Sequence, residues 1–407
     1  MPKTALRILV LDDEPFMLRL LAHMLAGLGY TTVSTCESGA LALEQVAAAS
    51  PPDLILMDLN MPQMDGIEFV RKLVEHNYRG SLLVISGEDE RVMQMAEKVV
   101  QAHHIDVLGH LHKPPSRSAL AKALRKWRPH SEAQAGETKS YAADELRHAI
   151  EHGQLVNHYQ PKVMIDSGAV VGVETLVRWQ HPVDGLLFPD RFVAIAEEHG
   201  LIDPLTRVVL RDALAQANLW RSTGLPLRIA VNVSMDNLYS VEFADFVAAS
   251  AALAEHPPQD LMLEVTEGRL MQDQRAPLET LTRLRMKRFR LSIDDFGTGH
   301  SSLAQLRDIS FDELKIDRSF VHGALRDETA RAMYDASLGL GKQLGMEVVA
   351  EGVEDSDDWK LLRLTGCDLA QGYFIGRPMP ADALPGWIAS WSARVGRGSL
   401  DGLREEI

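Results

Sequence analysis

Asp294 and Asp295 stand side by side after the apolar run Leu291-Ser-Ile293, and Phe296-Gly-Thr-Gly299 follows them. A short β-branched run that breaks into glycines predicts a buried strand leading into a loop. Neighbouring carboxylates repel unless a cation neutralises them, and successive strand side chains diverge, so Asp295 is placed to serve a second ion. The alternative is a capped turn before a helix near Ser301. Other polar residues stand at or near the ends of short apolar runs: Glu174, Asn232, Glu264, Lys315, Glu351 and Gln371. Every candidate ligand carries oxygen, which selects Mg²⁺ or Mn²⁺ over zinc. A second constellation lies nearer the N-terminus: Asp12 and Asp13, Asp58, Ser86 and Lys113. Three carboxylates, a hydroxyl and an ammonium suit one Mg²⁺ and one phosphoryl group, with Ser86 and Lys113 donating to the phosphoryl oxygens.

Two sets of elements must position these groups. From Lys3 to about Trp127, short apolar strands alternate with amphipathic helices, the pattern of a doubly wound parallel sheet. The strands are Ile8 to Leu11, a weaker one near Thr32 to Thr35, Leu54 to Met57, Leu82 to Ile85 and Val107 to Leu111. Chemistry in such a sheet collects at the carboxyl ends of the strands, where the second constellation sits. Residues 128–140 lack apolar periodicity and read as a linker, and a helix follows from Ala143 to His152 with Asp144 as its cap. Leu155 to Ile165 and Val170 to Trp179 are joined by a turn short enough only for an antiparallel hairpin. Helix–strand repeats come next, with strands at Leu227 to Val233, Leu261 to Val265, Arg290 to Ile293, Glu313 to Ile316, Glu347 to Ala350 and Leu369 to Phe374. With the hairpin, the count of about eight closes a TIM-like (β/α)8 barrel with one antiparallel strand. A barrel gathers the first constellation at one rim, where so many polar groups are expensive to desolvate without a cation. The domains expected are residues 1–127, 141–392 and a frayed tail at 393–407.

The 407 residues leave room for two or three domains, and 46% apolar content is that of a soluble globular chain. No apolar run approaches the ~20 residues of a membrane helix, and the run Ile8 to Leu11, cut by Asp12 and Asp13, does not read as a signal peptide. Membrane insertion is therefore not expected. Two distant cysteines, Cys36 and Cys367, give no disulfide framework and point to a reducing cytoplasm. A formal charge of −15 argues against DNA as the main partner. The basic run Arg283 to Arg290 is interrupted by Leu284 and Phe289 and reads as a solvated helix end.

The first segment resembles a response-regulator receiver domain, through Leu11-Asp-Asp-Glu14, Leu54-Ile-Leu-Met-Asp-Leu-Asn-Met-Pro-Gln-Met-Asp-Gly66 and His112-Lys-Pro114. The resemblance implies that Asp58 takes a phosphoryl group from a sensor histidine kinase, that Asp12 and Asp13 help bind Mg²⁺, and that Ser86 and Lys113 sense the phosphoryl group. His110 stands where many receivers carry an aromatic switch residue. Residues 141 to 390 resemble the EAL-type cyclic di-GMP phosphodiesterases. The motifs are Tyr159-Gln-Pro161, Glu174-Thr-Leu-Val-Arg-Trp179, Asn232-Val-Ser234, Glu264-Val-Thr-Glu267, Asp294-Asp-Phe-Gly-Thr-Gly299, Lys315-Ile-Asp317, Ala350-Glu-Gly-Val-Glu354 and Gln371-Gly-Tyr373. No cyclase segment of the GGDEF type accompanies them.

This second resemblance implies two metal ions. Glu174, Asn232, Glu264 and Asp294 would hold the first, and Asp294 would bridge to a second bound also by Asp295. Lys315 and Glu351 would orient the attacking water, with either Glu351 or a metal-held hydroxide as base. Arg178 would bind a substrate phosphate, Gln160 and Gln371 would touch substrate or water, and Glu267 would pin the loop from Phe296 to Ser302. Thr175 replaces the central Ala of the family's naming motif, where strand alternation turns it away from the site. His300 replaces a frequent Tyr. The function expected is hydrolysis of cyclic di-GMP to linear pGpG under control of Asp58 phosphorylation. The alternative is a non-catalytic cyclic di-GMP receptor signalling through protein contacts. A homo-oligomer is expected by resemblance, and a third reading, a transcription factor, is disfavoured because no segment resembles a helix-turn-helix.

Overall fold

The computed structural model describes residues 6–48, 50–103, 105–127, 141–266, 275–297 and 309–396. They fall into two compact units, Met1–Lys139 and Ser140–Ile407. The predicted linker lies outside the described residues. Among the described residues no helix is long and apolar enough to cross a membrane.

In the first unit the apolar runs pair as an all-parallel sheet in the order β2-β1-β3-β4-β5, with β1 Ile8–Leu11, β2 Val33–Cys36, β3 Leu54–Met57, β4 Ser81–Ser86 and β5 Asp106–His112. β1, β3 and β4 are buried along their whole length because helices cover both faces. Among the described residues these are α1 Pro15–Gly27, α2 Gly39–Val46, α3 Gly66–Glu75, α4 Glu90–Ala102 and α5 Arg117–Leu124. Ser38, Asp65, Asp89 and Ser116 cap α2 to α5 through their side-chain oxygens, which fixes where each helix starts. Gly66 opens α3 against the loop after β3: a Cβ there would stand 2.8 Å from the Asp58 carbonyl oxygen. The glycine therefore lets the chain close behind Asp58.

The second unit begins with helix α6, Ala143–Glu151. Its cap position is Ala142, not the expected Asp144; Glu145 reaches back to accept from the Ala142 amide at 2.9 Å, and Asp144 pairs with Arg147 inside the first turn. The hairpin β6 (Leu155–Met164) and β7 (Val170–His181) follows, then β9 Arg228–Val233, β10 Leu261–Thr266, β11 Arg290–Phe296, β12 Glu313–Ile316, β13 Glu347–Ala350 and β14 Leu369–Ala370. Six parallel neighbours run from β7 through β9 to β14, and β6 pairs antiparallel with both β14 and β7 to close the ring. Among the described residues eight strands thus form the barrel, with β6 alone reversed. Two short strands lie outside the predicted set: β8, Gly185–Leu187, extends β7, and β15, Met379–Pro380, pairs with β6.

β14 stops four residues before the predicted Phe374. From Gln371 onward the backbone bonds the neighbouring loop instead: Val353 donates to Gln371, Phe374 donates to Val353 at 3.0 Å, and Ile375 turns back to Gly372. The final helix, Leu384–Gly396, enters the predicted tail because Trp391 is 2% exposed and its indole donates to the Gly168 carbonyl at 2.7 Å. The basic run is spent on local acids, Arg283 and Lys287 on Asp245, Arg285 on Asp312 and Arg290 on Glu347.

Candidate active site

Inward alternation along the barrel strands brings the acidic residues to one end. Register places Glu264 of β10 beside Asn232 of β9 and Ser292 of β11, and Gln160 of β6 opposite Glu174 of β7. Lys315 of β12 lies at the centre, 1% exposed in its side chain. Its ammonium is 2.6 Å from Glu351, 2.9 Å from Asp294, 3.2 Å from Glu264 and 3.8 Å from Glu174. Ligand atoms of Glu174, Glu264 and Asp294 lie within 4.8 Å of one another, and so do those of Asp294, Asp295 and Glu351. The two triads share Asp294. Asp295 occupies the left-handed region, φ 54°, at an irregularity in the β11–β12 register. Strained backbone of this kind collects at functional sites. Gly297 continues the turn at φ 95°, where a Cβ would meet Phe320 at 2.7 Å.

Amide side chains hold Glu174 from two sides. Asn232 donates to one oxygen at 2.9 Å and Gln371 to the other, while Gln371 also donates to Gln160 at 3.1 Å and Gln160 to the Gly376 carbonyl at 3.0 Å. Of the residues predicted for the site, Glu267 and His300 lie outside the described residues. Thr175 is buried and does not line the site, unlike Glu174 and Leu176 on either side of it.

The electrostatics follow from burial of like charges. Burial, with Glu264 and Asp294 nearby, pushes Glu174 up to about 7 against the pull of Lys315. Burial and then Asp294 raise Asp295 to about 6, and burial raises Glu351 well above the carboxylate range. Glu264 goes the other way, to about 2, because Lys162 and Lys315 together outweigh its burial. Glu264 Oε2 is buried with the Lys315 ammonium, 3.2 Å away, as its polar neighbour among the described residues. Buried carboxylates that resist ionising together, with one ammonium shared among them, are what a hard divalent cation corrects. The all-oxygen donor set of Glu174, Asn232, Glu264, Asp294 and Asp295 fits Mg²⁺ or Mn²⁺.

A cavity of about 320 Å³ opens over these groups, lined by Gln160, Glu174, Leu176, Asp295, Lys315 and Tyr373 among others. Arg178, two residues beyond Leu176 on β7, is 5% exposed. One guanidinium nitrogen donates to the Val177 carbonyl at 2.8 Å, Nε has no partner among the described residues, and the group lies 4.8 Å over the Phe188 ring. Among the described residues no carboxylate pairs with it. A buried guanidinium with an idle donor is a place for an anion.

In the first unit the ends of β1, β3, β4 and β5 bring together the second constellation. Ligand atoms of Asp12, Asp13 and Asp58 lie within 4.8 Å of one another, and Lys113 Nζ is 2.7 Å from both Asp12 and Asp58. The other Asp58 oxygen, Oδ1, is buried without a partner. Burial lifts Asp12 against the nearby Lys113, whose own pKa its two carboxylates raise despite burial. Ser86 is fully buried and its hydroxyl accepts from the Glu88 amide at 3.4 Å. His110 turns to α4 with both ring nitrogens on carboxylates, Glu97 at 2.9 Å and Glu90 at 2.8 Å, and His112 reaches the second Glu90 oxygen at 3.2 Å. His110 therefore joins β5 to α4.

Sequence reasoning missed Lys162. Its ammonium, 4% exposed on β6, lies one layer below the rim, 2.7 Å from Glu264 and 2.9 Å from Glu313. The signal was present: Gln160 and Lys162 alternate inward on one strand, as Glu313 and Lys315 do on another.

Two family models match the chain, the response regulator receiver domain over residues 8–125 and the EAL domain over residues 143–378. The cyclic di-GMP phosphodiesterase RocR of Pseudomonas aeruginosa is 31% identical over 92% of this chain and 96% of its own length. The bifunctional diguanylate cyclase/cyclic di-GMP phosphodiesterase MucR of the same organism is 42% identical over 60% of this chain, which spans only 36% of MucR. Among solved structures, the MucR phosphodiesterase in complex with c-di-GMP matches with a TM-score of 0.57 and 42% identity, covering 59% of this chain and 98% of that one.

Proposed function

The chain belongs to the EAL-domain family and carries a response-regulator receiver domain ahead of the EAL domain, and from that premise we propose that it hydrolyses cyclic di-GMP to linear pGpG under control of phosphorylation at Asp58. The two acid triads that share Asp294 around Lys315, at the carboxyl ends of the barrel strands, are the observation that carries this reading. Glu174, Asn232, Glu264 and Asp294 would hold one Mg²⁺ or Mn²⁺, and Asp294 with Asp295 a second. Such a pair supplies a more acidic water and balances charge on the scissile phosphate.

The chain's own groups do the rest. Arg178 holds a non-bridging phosphate oxygen with the donor that is idle in the structure. Water attacks phosphorus and the P–O3′ bond breaks; the departing O3′ takes a proton from solvent, and the products are a 5′-phosphate and a free 3′-hydroxyl. Glu351, ionised once cations offset its burial, would accept the proton of the attacking water, and Lys315, 2.6 Å away, fixes the orientation of that carboxylate. Gln160 and Gln371 keep Glu174 turned toward the site and contact the substrate. Glu267 and the loop from Phe296 to Ser302 belong to the same machinery by family resemblance.

In the receiver, the unpartnered Asp58 Oδ1 attacks the phosphoryl group of a kinase phosphohistidine, and the P–N bond breaks as the P–O bond forms. Asp12 and Asp13 hold Mg²⁺, and Lys113 and Ser86 donate to the phosphoryl oxygens. The same reading places a homo-oligomer in the cytoplasm, which light scattering on the purified protein and fractionation of cells test. Hydrolysis in ¹⁸O-labelled water with Mg²⁺ tests the chemistry: pGpG carrying one ¹⁸O on its 5′-phosphate is expected. Binding of cyclic di-GMP without any product would leave only a receptor.

A further inference from the structure

Beneath the rim of the barrel lies a second polar layer. Lys162 of β6, Ser292 of β11 and Glu313 of β12 point into the barrel one step deeper than Gln160, Asp294 and Lys315. The Lys162 ammonium is 2.7 Å from Glu264 Oε1 and 2.9 Å from Glu313 Oε1, and the Ser292 hydroxyl donates to that same Glu313 oxygen at 2.9 Å. Glu264 is fully buried, and Lys162 is the donor to its lower oxygen, Oε1. Its other oxygen faces Lys315 and the rim. The remaining rim acids are held differently, Glu174 by Asn232 and Gln371, and Asp294 by the Asp295 amide at 3.0 Å.

We propose that Lys162 is a positioning residue for cation binding: it fixes Glu264 from below by one oxygen so that the other is presented to the divalent cation at the rim. This rests on the reading of the rim as a Mg²⁺ or Mn²⁺ site and adds a residue to it. A fully desolvated lysine is expensive, and an apolar replacement of an ion pair is often neutral for stability. Lys162 and Glu313 would thus be dispensable as a mere staple. Without Lys162 the two carboxylates it separates face each other with no cation between them, and Glu264 keeps only its contact with Lys315 to hold it at the rim. Glu313 acts only through Lys162, balancing its charge so that the ammonium does not repel the bound cation.

The test is Mn²⁺ binding, followed by the electron paramagnetic resonance of the free ion. Full-length protein is used, with Asp13→Ala in every sample to remove the receiver's site from the count. The double variant Lys162→Met/Glu313→Leu leaves net charge unchanged, so an altered affinity reports placement of Glu264 and not the overall field. The barrel's tightest Mn²⁺ site is expected to weaken at least tenfold while circular dichroism and thermal unfolding stay near those of the parent. Should that variant fail to fold, Lys162→Gln/Glu313→Gln makes the same comparison with polar side chains, the Gln amide falling one bond short of Glu264; the same loss is expected. Affinity within twofold of the parent in a folded double variant overturns the proposal while leaving the rim's function intact. Absence of Mn²⁺ binding by the barrel of the parent itself sinks the cation reading of the rim as well.

Discussion

Stripping divalent cations from the protein and raising the pH from 4.5 to 7 should destabilise the barrel, and the structure sets the size of the effect. Glu174 ionises near 7 in the folded chain against an ordinary value of 4.5, and Asp295 near 6 against 3.8. Both are raised, so the folded state holds protons that the unfolded state has released. Their contribution is fully present below the unfolded values and is lost as pH rises through the folded ones. For Glu174 the difference between about 7 and 4.5, at about 1.4 kcal/mol per pH unit, is about 3 kcal/mol. Asp295 is partly exposed and contributes about 1 kcal/mol after screening. Glu351, raised by burial, acts with the same sign, whereas Glu264, lowered to about 2, completes its change below this window. A loss of about 4 kcal/mol at about 2–4 °C per kcal/mol corresponds to a fall in Tm of roughly 8–16 °C. Circular dichroism melts in EDTA across this range measure it. Saturating Mg²⁺, which binds the ionised carboxylates, should flatten the dependence, and Glu174→Gln in EDTA should remove most of it. A Tm that does not fall with pH in EDTA, or that falls equally in Mg²⁺, refutes the argument that buried like charges dominate this site.

Three further outcomes are expected. Glu351→Gln keeps the shape of the site but removes the proton acceptor, so kcat should drop about 10²–10⁴-fold with Mn²⁺ affinity nearly kept; steady-state kinetics and cation titration together check it. Arg178→Lys loses the planar donor pair, and KM should rise about tenfold or more while the Tm barely moves. Asp58→Asn should abolish phosphoryl incorporation from a small-molecule phosphodonor, measured on a phosphate-affinity gel, because a neutral amide replaces the carboxylate nucleophile.

Much of the architecture was legible because each strand is a short apolar run whose polar end residue is the one the fold delivers to the rim. Asp12, Asp58, Glu264 and Asp294 were expected at strand ends in this way and stand there, and the hairpin turn at Asp166 to Gly168 pointed to the reversed strand. Strand ends alone could not reveal the layer beneath. Lys162 and Glu313 are visible only when inward alternation is followed one step deeper, and only the barrel register shows that they meet. Sequence does not carry backbone competition either. β14 reads as a strand to Phe374, but Val353 takes the hydrogen bonds that would have continued it. The cap at Ala142 escaped notice because alanine has no capping oxygen, and the work passes to Glu145. His110 read as a departure from an aromatic pattern, and its two carboxylate partners lie on a helix 13 and 20 residues away in sequence. The idle donor of Arg178 is likewise a property of packing, set by Phe188 and the Val177 carbonyl.

The most direct measurement is turnover of cyclic di-GMP by the purified chain in Mg²⁺, with products separated by chromatography and Glu174→Ala protein run beside it. Linear pGpG formed by the intact chain, and absent with Glu174→Ala or EDTA, is the result expected. No product in Mg²⁺ or Mn²⁺, with or without a phosphodonor, or equal product from Glu174→Ala, contradicts hydrolysis at the barrel rim.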